Sequence, residues 1–175
     1  MRSLTSALVM FCLFGLGINT ALAWNANAVK NCNITIGEFK KKDKKLDNFF
    51  TQAYGYAVFP SVGKGAIGIG GAHGNGVVYE KGKPIGDTSL TQITIGFQLG
   101  GQAYSEIIFF KDKKTLDDFK NGNFELGAQA SAVAVTAGAS ADANYEKGVA
   151  VFTMAKGGLM YEASVGGQKF SYDPY

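Results

Sequence analysis

From Tyr54 onward the chain is a succession of short apolar or alternating runs cut by glycine, and this pattern leaves few folds open. Tyr56 to Phe59 is apolar and ends at Pro60, and Gly65-Ala66-Ile67-Gly68-Ile69-Gly70-Gly71 alternates small residues with isoleucine. Val77 to Tyr79 follows a glycine-rich stretch. Gln92 to Leu99 puts Ile93, Ile95, Phe97 and Leu99 on one face, and Gln129 to Ala139 does the same with Ala130, Ala132, Ala134 and Thr136. Tyr104 to Phe110 is apolar on both faces at its end, Val149 to Met154 and Leu159 to Val165 read as a hairpin around Lys156-Gly157-Gly158, and Lys169 to Tyr172 adds a last run. A period of two with glycine punctuation is the signal of short strands. With 46% hydrophobic residues the chain is not a disordered tail, and its 24 glycines follow no collagen-like period.

Two stretches depart from this pattern. Over Glu38 to Ala53, Phe39, Leu46, Phe49, Phe50 and Ala53 lie near one face at helical spacing, while Lys40, Lys41, Lys42, Lys44 and Lys45 crowd the rest. Such a helix can lie in a membrane interface, or its aromatic face can pack on the sheet and leave the lysines solvated. Lys111 to Lys120 reads as a short helix through Leu116 and Phe119. It carries a second basic group, Lys111, Lys113 and Lys114, diluted by Asp112, Asp117 and Asp118. The expected fold is therefore α+β and β-rich. It is a twisted antiparallel sheet or barrel-like meander of about eight strands, with an N-terminal amphipathic helix and one short helix near 111–120.

The first residues are expected to be removed before folding. Arg2, the apolar stretch Leu4 to Ile18 and the Ala21-Leu22-Ala23 ending have the layout of a secretory signal peptide over 1–23. Residues 24–37, polar and rich in asparagine, read as a flexible lead-in, and 38–175 as a single domain. The protein is then exported, periplasmic or secreted, and peripheral on a membrane if it binds one. Arg2 is the single arginine, so sixteen lysines and no arginine remain after cleavage. Lysine is a flexible point charge rather than a planar fork, which argues against nucleic-acid recognition. Cys12 leaves with the signal and Cys32 stays without an intramolecular partner. It could pair between chains in an oxidising compartment, but the expected reading is a spectator thiol in a loose N-terminal segment.

Catalysis is not expected. The Gly68 to Gly76 run lacks the Gly-Lys-Ser/Thr and the following helix of a phosphate loop, and His73-Gly74-Asn75-Gly76 has hairpin-turn composition. His73 is the only histidine, so a His/Cys zinc site cannot be assembled, and there is no Gly-x-Ser-x-Gly nucleophile elbow. Glu106, Glu125, Asp142, Glu146 and Glu162 are scattered. No metal and no cofactor is expected.

Five pieces occur in an order that resembles the SYLF lipid-binding domain family. They are Gly55-Tyr56-Ala57-Val58-Phe59-Pro60, the Gly65 to Gly76 run, Gly96-Phe97-Gln98-Leu99-Gly100-Gly101-Gln102, the segment Phe124 to Val135, and Lys156-Gly157-Gly158-Leu159. The resemblance covers about residues 38–172 and implies a membrane-binding part where Glu38 to Ala53 falls. In eukaryotic members it implies phosphoinositide membranes and actin; bacterial members are typically exported. The expected function is an exported, non-catalytic domain that binds an anionic lipid or membrane surface. Its expected lipid-contacting residues are Lys40, Lys41, Lys42, Lys44, Lys45, Phe39, Leu46, Phe49 and Phe50. The alternatives are a periplasmic protein-interaction scaffold, actin-binding-like by resemblance, and a small outer-membrane β-barrel.

Overall fold

The computed structural model describes residues 25–67, 69–95, 102–127, 132–157 and 165–175. The expected signal segment, the strand face at Phe97 and Leu99, and positions 159–164 of the expected final hairpin lie outside these residues. In chain order the elements are α1 (Ala26–Lys42), a 3-10 turn (Lys44–Leu46), α2 (Asp47–Gln52), β1 (Gly55–Ile67), β2 (Ile69–Glu80), β3 (Lys83–Ile95), β4 (Gln102–Phe110), α3 (Lys113–Lys120), β5 (Val133–Ala134), a second 3-10 turn (Ala139–Ala141), β6 (Val149–Ala155) and β7 (Gln168–Pro174).

Among the described residues the strands form one seven-stranded sheet in the order β5-β6-β4-β1-β2-β3-β7. Its pairs are antiparallel except β5–β6, which run parallel. The sheet is open, with β5 and β7 at its edges, so the fold is the expected β-rich α+β architecture without barrel closure. No helix among the described residues is long and apolar enough to cross a membrane.

Alternation along β1 gives the sheet two apolar faces. Tyr56 and Val58 join Phe109, Phe152, Val77 and Tyr79 beneath α1 and α2. Ala57 and Phe59 join Ile108, Phe110 and Leu90 beneath α3, whose Leu116 and Phe119 are buried there. Pro60 does not end this strand, contrary to the reading from sequence. The ladder slips between Val58 and Ser61 against β2, and between Phe59 and Val62 against β4. A bulge is where a residue without an N–H can be accommodated inside a sheet. The Pro60 carbonyl accepts from Ser105 Oγ at 2.9 Å, and β1 then runs on to Ile67.

His73-Gly74-Asn75-Gly76 is likewise strand, not turn. All four residues pair with β3, His73, Gly74 and Asn75 pair with β1 as well, and Gly76 lies at the slip of the β1 ladder; the bend between β2 and β3 falls at Lys81-Gly82. Glycine is required here for close approach: a Cβ on Gly76 would lie 2.3 Å from the Val58 carbonyl oxygen, and one on Gly74 2.9 Å from Val62. Of the alanine-rich strand expected over Gln129 to Ala139, Gln129 to Ser131 lie outside the described residues, and within the remainder the strand is Val133–Ala134.

The N-terminal helix begins at Ala26, not near Glu38, and occupies most of what reads as a flexible lead-in. Asn25 caps it, its side-chain oxygen accepting from Ala28 N at 3.2 Å. Its buried positions are Val29, Cys32, Thr35 and Phe39. Two of these are small or polar, which hides the helical period from a hydrophobicity reading.

Candidate functional site

The expected continuous helix over Glu38 to Ala53 is broken at Asp43, and the break builds the site. Asp43 is extended, with φ −139° and ψ 104°, so the chain turns from α1 into the 3-10 turn and α2. Its side chain is 2% exposed. One carboxylate oxygen accepts from Lys45 N at 3.0 Å, and the other from Ser140 N at 2.8 Å, tying this elbow to the second 3-10 turn. Burial by itself would raise the Asp43 pKa. The donors from Ser140 and Lys45 outweigh it and hold the carboxyl below its ordinary value.

The apolar residues of the expected membrane face point into the protein. Phe39 and Leu46 are fully buried. Phe49 packs against Phe109, Tyr145 and Phe152 with ring centroids 4.9–5.5 Å apart, and Phe50 against Tyr56 and Phe109 at 5.2 and 4.8 Å. These four side chains fasten the elbow to the sheet and are not free to enter a bilayer in this conformation.

The lysines divide differently. Lys40 pairs with Asp47 at 2.7 Å and lies 4.6 Å above the Phe50 ring. Lys41, Lys42, Lys44 and Lys45 are exposed and make no ion pair among the described residues. The acidic residue among them, Asp43, is turned inward and spent on backbone donors. The elbow therefore presents unpaired positive charge beside a cleft of about 490 Å³, lined by Lys45, Asn48, Gln52 and Asn144 among others.

The second basic group is not brought to the first. It sits at the start of α3, on the opposite face of the sheet from the elbow. Lys113 pairs with Asp117 and Lys114 with Asp118, each four residues on, the second at 2.7 Å. These hydrogen bonds raise both lysine pKa values. Lys111 is exposed. Asp112 caps α3, accepting from Thr115 N at 2.9 Å.

Cys32 is a core residue rather than a spectator in a loose segment. Its thiol donates to the Val58 carbonyl at 3.4 Å, and burial pushes its pKa up to about 12. His73 is exposed in mid-strand. No group of three or more potential metal-ligating residues occurs among the described residues.

Sequence reasoning left Glu106 among scattered acids, but it is fully buried. Its carboxylate accepts from Gln168 Nε2 at 3.0 Å, and the same nitrogen lies 3.2 Å from the Tyr104 hydroxyl. Gln168 comes from the far end of the chain, so nothing local in the sequence announces the cluster.

Comparison with known proteins supplies the relationship. Residues 91–174 match the Ysc84 family, the Las17-binding protein actin regulator. Beta cell expansion factor A of Aeromonas veronii is 31% identical over 126 residues, which cover 71% of this chain and 48% of that protein. The chain thus spans about half the length of this curated relative. The elbow lies before the segment matched by the family, which runs from late β3 through β7. Through residues 91–174, the chain belongs to the Ysc84 (SYLF) family of binding domains.

Proposed function

We propose that this protein is an exported, non-catalytic domain that docks peripherally on an anionic lipid surface through the elbow between α1 and α2. The observation that carries this reading is the set of four exposed lysines, Lys41, Lys42, Lys44 and Lys45, around an acid that faces inward. A lysine near an anionic membrane contributes about 1 kcal/mol. Attraction by ammonium groups alone, without arginine forks, follows total surface charge rather than headgroup identity. The buried aromatic residues hold the elbow in shape; they do not insert. Export rests on the signal-like segment 1–23.

Co-sedimentation with vesicles of graded anionic content tests the proposal. Binding is expected to rise with charge and to fall with salt, because exposed charges are screened over about 8–10 Å at physiological strength. Replacing all four lysines by glutamine is expected to abolish most vesicle binding at an unchanged melting temperature. A second reading, a protein-interaction scaffold, is favoured by the family's description as a Las17-binding actin regulator. A wild-type protein that ignores every vesicle would support that reading instead.

A further inference from the structure

The side of the sheet that carries α1 is covered by the helix only over part of its length. Beyond it, register places Ser61 opposite Asn75, Asn75 opposite Ser89, and Ser89 opposite Ser171, a row of small polar side chains across β1, β2, β3 and β7. Neighbouring strands lie about 4.8 Å apart, so this row is a short ladder of hydroxyls and amides. The Ser89 and Ser171 hydroxyls already touch at 2.7 Å. The first turns of α1 form a wall beside the row, with Asn27 and Asn31 one turn apart, and together they enclose a groove of about 580 Å³. That volume is in the range of small-molecule sites.

The groove's chemistry is selective. No lysine lines it, although the chain has sixteen. Asn and Ser side chains each both donate and accept, whereas the two carboxylates present, Asp87 and Asp173, only accept. Those carboxylates stand directly opposite one another on β3 and β7, a placement that like charges disfavour. Tyr175 donates to Asp87 at 2.7 Å, and neither aspartate makes an ion pair among the described residues. A phosphate or carboxylate ligand would be repelled here. A ligand rich in hydroxyls would give donors to the carboxylates and exchange both kinds of hydrogen bond with the amide and serine row.

The geometry points to a binding site for a neutral saccharide of two or three units, held between the α1 wall and the Ser61–Asn75–Ser89–Ser171 row. This site is separate from the lysine elbow and does not depend on lipid binding.

Isothermal titration of the full chain with maltotriose, cellotriose and chitotriose tests it, with glucose 6-phosphate and calcium chloride as separate arms. At least one neutral trisaccharide is expected to bind with a Kd on the order of 1 mM or tighter. Asn31→Trp, which fills the groove from an exposed helical position, and Asn75→Ala, which removes an amide from the row, are each expected to weaken binding about tenfold or more. The four-lysine variant of the elbow is expected to bind the sugar as the wild type does. Melting temperatures of both groove variants show that the fold is kept, and Asn27→Trp replaces either one that loses it. No response to any of the three sugars would overturn the proposal. So would a response to glucose 6-phosphate or calcium alone, or sugar binding that both groove variants leave unchanged.

Discussion

Asp43 does two things that a surface aspartate would not. It ends α1, and through Ser140 it fixes the elbow to a turn 97 residues away in sequence. Hydrogen bonds to a charged acceptor contribute about 1.5–3 kcal/mol, so Asp43→Ala is expected to lower unfolding free energy by about that amount in chemical denaturation. The pH dependence follows from the lowered pKa. Because the folded value lies below the unfolded one, the contribution is complete above the ordinary carboxyl range and is lost as pH falls toward the folded value. In Asp43→Asn this part of the acid sensitivity should vanish, which denaturation curves at stepped pH would reveal. Gly76 makes a second residue-scale case. Valine there would drive a Cβ to 2.3 Å from the Val58 carbonyl, and the strands must part. A loss of about 1–3 kcal/mol or more is expected, the range of overpacked cores.

At the scale of elements, the N-terminal helical layer is held by apolar burial and not by its charges. Phe39 and Leu46 are fully buried, and Phe49 and Phe50 sit in a cluster of rings from β1, β4 and β6. Truncating a buried phenylalanine to alanine costs about 3–5 kcal/mol. Cys32 reports on the same layer, since its thiol faces Val58 beneath α1 and is fully buried. In the native protein a water-soluble thiol reagent should label Cys32 only when α1 lifts or the chain unfolds. Phe39→Ala should speed that labelling, whereas the four-lysine variant should leave its rate unchanged. Equal rates in wild type and Phe39→Ala would mean that α1 is not held by this cluster. The contrast with α3 is instructive: its lysines are matched by Asp117 and Asp118 one turn on, so the helix offers little unpaired charge to a surface.

At the scale of the whole molecule, the sheet separates two kinds of surface. The elbow gathers unpaired lysines at the end of the helical layer, while the uncovered part of the same sheet face is small, polar and free of lysine along its groove. The amino-acid sequence alone determined the β-rich class, the short helix at α3, the apolar spacing of Phe39, Leu46, Phe49 and Phe50 though not which way that face turns, and the family resemblance. These rest on local periods of two and 3.6 residues and on the order of motifs, which need no knowledge of neighbours. Tertiary structure alone decided the rest. Whether Gly74 and Gly76 turn the chain or let β1 approach depends on what lies across the ladder. Pro60 reads as a strand end until a bulge and Ser105 accommodate it. The start of α1 is hidden because Cys32 and Thr35 are core residues only once β1 and β2 lie beneath them. Asp43 looks like a charge diluting the lysines, and it is the packing of the Ala139–Ala141 turn against the elbow that turns it inward and leaves their charge unopposed.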